Sequence, residues 1–209
     1  MIHTKNLTFK NMLMYPDITI EAQSMSFIIG PSGVGKSTFF KLLNSTLSVD
    51  DHQIYYHDRD INTLDPIALR QDLLLCGQSV FLFSGTIRTN FNQFRELRHL
   101  EPLTDTEISA FLEIAEAQFD LDKNVDVLSG GERQRVYIAI FVSLATTVLL
   151  LDEPTAALDK TTGSKVLENI KNYIKTKQMT ALVISHDPDL AREYADALID
   201  FSAVKRGEN

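Results

Sequence analysis

A glycine-rich loop between an apolar run and an amphipathic segment constrains the fold of this chain more than any other feature. Residues 30–37 read Gly-Pro-Ser-Gly-Val-Gly-Lys-Ser and match the pattern G-x-x-x-x-G-K-[ST]. The apolar run 25–29 precedes the loop. Apolar residues then recur at helical spacing, at Phe39, Leu42, Leu43 and Leu47. The pattern predicts a strand, a tight loop and a helix in direct succession.

A loop of this kind binds phosphate groups. Its backbone N–H groups converge on phosphate oxygens, and the following helix adds the positive end of its dipole. Lys36 is expected to reach the β- and γ-phosphates, and the Ser37 hydroxyl to ligate Mg²⁺. The alternative interpretation is a glycine-rich turn with an incidental lysine. The predicted nucleotide-binding residues are Gly30, Pro31, Ser32, Gly33, Val34, Gly35, Lys36, Ser37 and Thr38.

The rest of the chain alternates between strand and helix patterns. Short alternating runs near the start predict one small sheet, at 7–9, 18–20 and 54–56. Apolar runs predict buried strands at 148–151, 181–184 and 197–201. Helical spacing recurs over 166–174 and, after a capping-box pattern at Thr104–Glu107, over 108–115. This alternation favours an α/β fold with a mostly parallel sheet, and the region 79–127 favours a helical insert.

Composition excludes several classes of protein. The 209 residues suit one large domain, and no run approaches the roughly 18 apolar residues of a membrane span. The net charge of -8 argues against a general nucleic-acid binder, whose surface would be basic. The single cysteine, Cys76, lies in an apolar run and is interpreted as an inert core thiol. We therefore expect a cytoplasmic protein for which no nucleic acid is a partner.

The acidity is concentrated in one segment. Residues 95–126 carry nine Asp or Glu and three Lys or Arg, a net charge of -6. The segment is either a solvated helical face or a docking surface for a basic partner.

Two further motifs carry polar groups. Asp152 and Glu153 follow the apolar run 148–151, at the strand end where open α/β sheets bind ligands. There Asp152 is suited to hold Mg²⁺ and Glu153 to polarise a water, although Asp-Glu-Pro also occurs in solvated turns. Residues 129–131, Ser-Gly-Gly, form a second loop of the phosphate-binding kind. A single nucleotide needs only one such loop, so two of them in one chain suggest that each nucleotide site is shared between two chains.

In this order, the motifs closely resemble those of the ATP-binding cassette (ABC) ATPases, the motor subunits of ABC transporters. Residues 30–37 resemble the Walker A loop, and residues 148–153 resemble the Walker B strand. Residues 128–132 resemble the family signature, and residues 157–159 resemble the D-loop. Gln78 resembles the Q-loop glutamine, and His186 resembles the switch histidine. The resemblance implies an α/β P-loop NTPase fold of RecA-like type, with a small antiparallel β subdomain and an inserted α-helical subdomain. It implies one domain over 1–209, with 1–78 and 128–209 as the nucleotide-binding core and about 79–127 as the helical part.

The resemblance also assigns roles to single residues. The implied catalytic residues are Lys36, Gln78, Glu153 and His186. The implied nucleotide contacts beyond the Walker A loop are Ser129, Gly130, Gly131 and Asp159. The implied Mg²⁺ ligands are Ser37, Gln78 and Asp152. Without the resemblance, His186 reads as a solvated loop histidine and Gln78 as a plain polar residue.

Three positions depart from the family pattern. Asn11 stands where an aromatic residue usually stacks on adenine, and the nearby Phe9 and Tyr15 are in the wrong register. Ile140 stands where an arginine is frequent, and Glu132 where a glutamine is frequent. None of the catalytic positions is lost, so the resemblance implies an active ATPase.

The function implied is that of an ATP-hydrolysing motor subunit. Two copies would pair head to tail around two ATP and two Mg²⁺, and would drive a separate integral membrane permease from the inner face of the cell membrane. Residues 82–87 and Asn90 resemble exporter-type cassettes, including short stand-alone subunits of iron or other metal exporters, which favours export over import. The apolar loop 80–86 either fills the core or forms a socket for the permease.

Two other functions are compatible with parts of the sequence. A soluble ABC ATPase switch in DNA repair, translation or cluster assembly would need no membrane partner, but the single cassette and the acidic charge count against it. A P-loop kinase or GTPase would leave residues 129–131 unexplained.

Overall fold

The computed structural model describes residues 1–10 and 12–206, with side chains through Val204. The strands are β1 (Ile2–Thr4), β2 (Thr8–Phe9), β3 (Leu13–Met14), β4 (Thr19–Ile20), β5 (Met25–Ile29), β6 (Ile54–Tyr56), β7 (Arg59–Asp60), β8 (Leu73–Cys76), β9 (Val148–Asp152), β10 (Thr180–Ile184), β11 (Ala197–Asp200) and β12 (Lys205–Arg206). The helices are α1 (Lys36–Leu43), α2 (Pro66–Asp72), α3 (Ile87–Glu96), α4 (Asp105–Ile114), α5 (Gly130–Leu144), α6 (Lys160–Thr176) and α7 (Pro188–Tyr194).

A five-stranded parallel sheet forms the centre of the fold. Its strand order is β11-β5-β10-β9-β8, and every neighbouring pair is parallel. Ile184 at the end of β10 lies opposite Ile28 of β5 and Asp152 of β9. The carboxyl ends of these strands therefore meet at one edge of the sheet, and the loops that follow them share that edge.

The central strands β9 and β10 are buried throughout, and β5 is buried up to Ile28, which explains their continuous apolar runs. The prediction of a buried strand at 197–201 is only partly right, because β11 is an edge strand with mostly exposed residues and only the following Phe201 is fully buried. Phe27 and Val183 point into a core packed by α3 to α7, and the buried Cys76 lies in the same core. Their neighbours Ile28 and Leu182 point into a second core, beneath α1 and the antiparallel strands. The predicted α/β fold with helices on both faces of the sheet is thus confirmed.

The prediction of one small sheet from the opening runs is wrong. Strands β4 and β6 pair with β1 in a sheet of order β4-β1-β6-β7, whereas β2 pairs with β3 in a separate sheet of order β12-β3-β2. Asn6, between β1 and β2, has a φ of 49°. This left-handed turn redirects the chain before β2, a feature that alternation of apolar residues does not report.

The helix after the glycine loop is shorter than predicted. Helix α1 ends at Leu43, and Ser45 just beyond it has a φ of 54°, so Leu47 lies outside the helix. The capping box at Thr104 is confirmed: its hydroxyl accepts from Glu107 N–H, and the Glu107 carboxylate accepts from Thr104 N–H at 2.8 Å.

Helices α3 and α4 lie within the region 79–127, where the sequence favours helix. The acidic side chains of segment 95–126 are all exposed except that of Glu116, which is half-buried. Some of this charge is paired within the region, because Arg88 contacts both Asp105 and Asp122.

Candidate active site

The loops at the carboxyl edge of the parallel sheet enclose a polar cavity of about 480 Å³. It brings together side chains that are far apart in the sequence. The lining residues are Ser32, Gly33, Gly35, Lys36, Ser37, Gln78, Glu153 and His186. The Walker A-like loop, the Q-loop-like glutamine, the Walker B-like glutamate and the switch-like histidine therefore share one space.

The glycine loop needs its glycines for conformation. Gly30, Gly33 and Gly35 have φ values of 146°, 73° and 104°, which side chains rarely allow. Lys36 is the first residue of α1 and is buried, and its ammonium donates to the carbonyl oxygens of Gly30 (2.8 Å) and Pro31 (2.9 Å). The lysine thus bends back over the loop, with its charge inside the concave surface.

Burial and charge act against each other at Lys36. Burial lowers the pKa of its ammonium, and the nearby Glu153 and Asp152 carboxylates partly offset that fall. A cation placed in this way, close to backbone N–H groups, is suited to hold phosphate oxygens.

Asp152, at the end of β9, has an unsatisfied oxygen. Its Oδ1 is buried and has no hydrogen-bond partner among the described residues. Burial raises the pKa of this carboxyl, while a hydrogen bond with Ser37 lowers it. A carboxylate oxygen and a hydroxyl are hard ligands of the type Mg²⁺ prefers, alongside phosphate oxygens and waters. The Asp152–Ser37 pair therefore fits a magnesium ion.

Glu153 contacts two of the other side chains that line the cavity. Its Oε2 accepts from Gln78 Nε2 at 2.8 Å, and its Oε1 lies 2.6 Å from His186 Nε2. Its φ is 53°, an uncommon backbone conformation for a glutamate, and its N–H donates to the Ile184 carbonyl. The side chain is only 15% exposed. Backbone and side-chain contacts together hold the carboxylate in one position over the loop.

The signature-like residues lie outside this cavity. Ser129 is the N-cap of α5, where its hydroxyl accepts from Glu132 N–H and its own N–H donates to the Glu132 carboxylate at 2.8 Å. Gly131 lies against the D-loop-like segment, since a Cβ built there would be 2.9 Å from the Ala157 carbonyl oxygen. Within one chain, Ser129, Gly130 and Gly131 therefore do not line the cavity that contains Lys36.

Other predicted contacts also fall outside the cavity lining. Gly30, Pro31, Val34 and Thr38 do not line the cavity, although Gly30 and Pro31 accept hydrogen bonds from Lys36, and Val34 is buried. Asp159 caps α6 by accepting from Thr162 N–H. It lines a neighbouring cavity of about 520 Å³ that also borders Glu153 and His186.

The three positions that depart from the family pattern differ in what the structure shows of them. Asn11, at the usual adenine-stacking position, lies outside the described residues. Ile140 is fully buried in α5, where the core accommodates an apolar side chain. Glu132 completes the cap of α5, and the Ser129 backbone hydrogen bond, followed by contacts with the Ser129 and Lys123 side chains, lowers the pKa of its carboxyl to about 2.

Tyr15 contacts the backbone of the glycine loop, and the sequence did not predict this contact. Its hydroxyl donates to the Gly35 carbonyl oxygen at 2.9 Å. The only signal in the sequence was an aromatic residue near the loop in the wrong register for a base, and nothing indicated a contact with the loop backbone.

Comparisons with known proteins agree with this geometry. The family model described as ABC transporter matches residues 13–156. A probable iron export ATP-binding protein, FetA of Escherichia coli strain K12, is 32% identical over 83% of this chain and 77% of its own length. A phosphonates import ATP-binding protein, PhnC 1 of Halalkalibacterium halodurans, is 33% identical over 88% of this chain and 76% of its own.

A solved structure shares the fold. It is a dimer of an ATP-binding cassette in a post-hydrolysis state with ADP and phosphate bound. It superimposes with a TM-score of 0.82 over all of both chains, at 24% identity.

Proposed function

This chain belongs to the ABC transporter family of ATP-binding proteins, and we propose that it hydrolyses ATP as the motor of a transporter. Two copies would pair head to tail, each offering its Lys36 loop to one ATP and its residues 129–131 to the other. One observation carries this proposal: the cavity joins Lys36, Gln78, Glu153 and His186, while Ser129 lies outside it. A single chain would then hold an incomplete site that a second chain completes.

Each cavity residue has a task in this reaction. Catalysis of phosphoryl transfer consists largely of positioning and charge stabilisation. Lys36 would bind the β- and γ-phosphates, and Glu153 would orient and deprotonate the attacking water. His186 and Gln78, which both contact Glu153, would couple its position to the γ-phosphate.

Magnesium would be held by Ser37 and Asp152, with Gln78 completing the set. The buried, unpartnered Oδ1 of Asp152 supports this assignment, because an uncompensated buried carboxylate oxygen is costly. When bound, the ion would neutralise charge on the phosphate oxygens.

We assign the apolar loop 80–86 as the docking surface for a membrane permease. Phe81 is 56% exposed and makes an edge contact with Phe83, which in turn packs on Phe94. Leu97 is 69% exposed and lines, with Phe83, a cavity of about 580 Å³. Large exposed apolar side chains grouped in this way are typical of a protein interface.

The loop 80–86 belongs to the helical part of the chain. We propose that 79–127 forms a helical subdomain receiving the permease, with 1–78 and 128–209 as the nucleotide-binding core. Within residues 1–10 and 12–206, no helix is long and apolar enough to cross a membrane. We propose that the permease holds the chain on the inner face of the cell membrane, in keeping with the similarity to transporter subunits.

We propose export as the direction of transport. The exporter-like stretch 82–87 with Asn90 supports export, as does the similarity to FetA, whereas the similarity to PhnC 1 supports import. Asn90 is buried and holds the loop, accepting from Phe83 N–H and donating to the Phe83 and Thr86 carbonyl oxygens. Its role is thus to shape the surface offered to the permease.

Affinity purification from detergent-solubilised membranes of the source cells tests the motor proposal. Tagged wild-type chain should retain a stoichiometric multi-span membrane protein, and Phe81→Asp should lose it. Leu198→Asp is the matched control, because Leu198 is 48% exposed on β11, at the opposite edge of the parallel sheet from β8. Retention of soluble partners alone would support the ABC switch instead, and equal retention by both variants would refute the docking surface.

A further inference from the structure

Tyr15 joins the hydrophobic core to the phosphate-binding loop. Its side chain is buried, with its ring centroid 5.4 Å from that of Phe39 and 5.5 Å from that of Phe201. Its hydroxyl donates to the Gly35 carbonyl oxygen at 2.9 Å. Burial raises the pKa of this hydroxyl, so it keeps its proton and remains a donor at neutral pH.

The Gly35 carbonyl has two donors, which leaves the peptide little freedom to rotate. Besides Tyr15, it accepts from Phe39 N–H at 2.9 Å, the first hydrogen bond of α1. A carbonyl oxygen has two lone pairs, and both are used here. In a planar trans peptide the C=O and the N–H point in opposite directions. The N–H of Lys36, in the same peptide unit, therefore points away from Tyr15.

The space around Gly35 leaves no room for a side chain. A Cβ built on it would lie 2.8 Å from the Tyr15 hydroxyl oxygen and 2.9 Å from Leu13 Cδ1. Its φ of 104° is a conformation that other residues rarely adopt. At Gly35, the residue before Lys36, the loop therefore packs directly against Tyr15 and Leu13.

We propose that Tyr15 is a positioning residue for phosphate binding, which orients the Gly35–Lys36 peptide by its hydrogen bond to the Gly35 carbonyl. The N–H groups of the first helical turn are the natural ligands of a phosphate, and Gly35 and Lys36 both line the cavity. This inference rests on the proposed function, namely that the cavity binds ATP. Tyr15 acts from beneath the loop, since its ring is enclosed by the core.

Isothermal titration calorimetry on the full chain tests this role with two probes, ATP and inorganic pyrophosphate. Tyr15→Phe removes the hydroxyl and keeps the buried ring. We expect the Kd of both probes to rise about 3- to 10-fold, the effect of one neutral hydrogen bond. Pyrophosphate has no base or ribose, so a parallel loss places the effect at the phosphates.

Tyr56→Phe is the matched control. Tyr56 is buried in the same hydrophobic cluster, and its hydroxyl hydrogen-bonds with Thr147 and Asp72, outside the cavity. Its variant should bind both probes within about twofold of the wild type. The inference is overturned if Tyr15→Phe also stays within twofold, or if Tyr56→Phe weakens binding equally. Failure of the wild-type chain to bind ATP would overturn the proposed function itself.

Discussion

Replacement of Glu153 by glutamine should separate ATP binding from hydrolysis. The glutamate carboxylate holds Gln78 on one oxygen and His186 on the other. A glutamine is nearly the same size but offers one acceptor oxygen and one NH₂ group. Glu153→Gln therefore keeps the volume of the side chain but only one of its two acceptor oxygens, and it removes the group able to take a proton from water.

The size of the effect follows from what is removed and what remains. A positioned general base contributes about 10²- to 10⁴-fold to a rate, or roughly 3–5 kcal/mol of transition-state stabilisation. The groups proposed to bind the phosphates, Lys36 and the glycine loop, do not depend on Glu153 for their contacts, because Lys36 donates to Gly30 and Pro31. We therefore expect kcat to fall by about 10²- to 10⁴-fold, with the Kd for ATP changed by less than about threefold.

Steady-state phosphate release and ATP titration measure these two quantities. Glu107→Gln is the matched control, since the Glu107 carboxylate also accepts two hydrogen bonds, from the Thr104 N–H and hydroxyl, but lies on α4 outside the cavity. It should hydrolyse ATP at the wild-type rate. Turnover by Glu153→Gln within about threefold of the wild type would refute the assigned role, as would a loss of ATP affinity as large as the loss of kcat.

Three further changes test other parts of the site. Asp152→Asn should raise the Mg²⁺ concentration for half-maximal ATPase activity about 10-fold while leaving the Tm of the free chain unchanged or higher, because it replaces a buried carboxylate, whose Oδ1 has no hydrogen-bond partner among the described residues, by a neutral amide. Gly131→Ala should lower the Tm, because its Cβ would meet the Ala157 carbonyl at 2.9 Å, whereas Gly130→Ala, with nothing within 4 Å, should not. The hydrogen bonds that Glu132 makes as part of the α5 cap lower the pKa of its carboxyl from 4.5 to about 2. The stabilisation of the chain by this carboxylate is therefore complete above about pH 4.5 and is lost as the pH falls toward 2. The Tm of Glu132→Gln should consequently fall less than that of the wild type between pH 4.5 and 2.

Local features of the fold were predictable because their causes are local. The strand β5, the glycine loop and the start of α1 follow from an apolar run, a pattern of glycines and helical spacing within 20 residues. The capping box at Thr104 likewise depends on residues three positions apart. Strands β9 and β10 were predictable as buried strands, since both faces of a parallel sheet are covered.

Features that depend on long-range pairing were not predictable in this way. The sequence shows Gln78, Glu153 and His186 as separate polar residues, 75 and 33 positions apart, and the resemblance alone suggested that they share a site. The register of the parallel strands brings them to one edge, but no periodicity in the sequence specifies that both Gln78 and His186 contact Glu153. The left-handed backbone conformation of Asn6, at which the chain passes from one antiparallel sheet to the other, is likewise not indicated by the pattern of apolar residues.

The enclosure of ATP between two chains can be tested by measuring the mass of the Glu153→Gln variant in solution. Light scattering during size exclusion measures it with ATP and Mg²⁺, with ADP, and without nucleotide. We expect twice the chain mass of 23.6 kDa with ATP and a single chain in the other two conditions, since only intact ATP would engage both the Lys36 loop and the partner's signature residues. A single chain at saturating ATP would show that ATP is not enclosed between two copies.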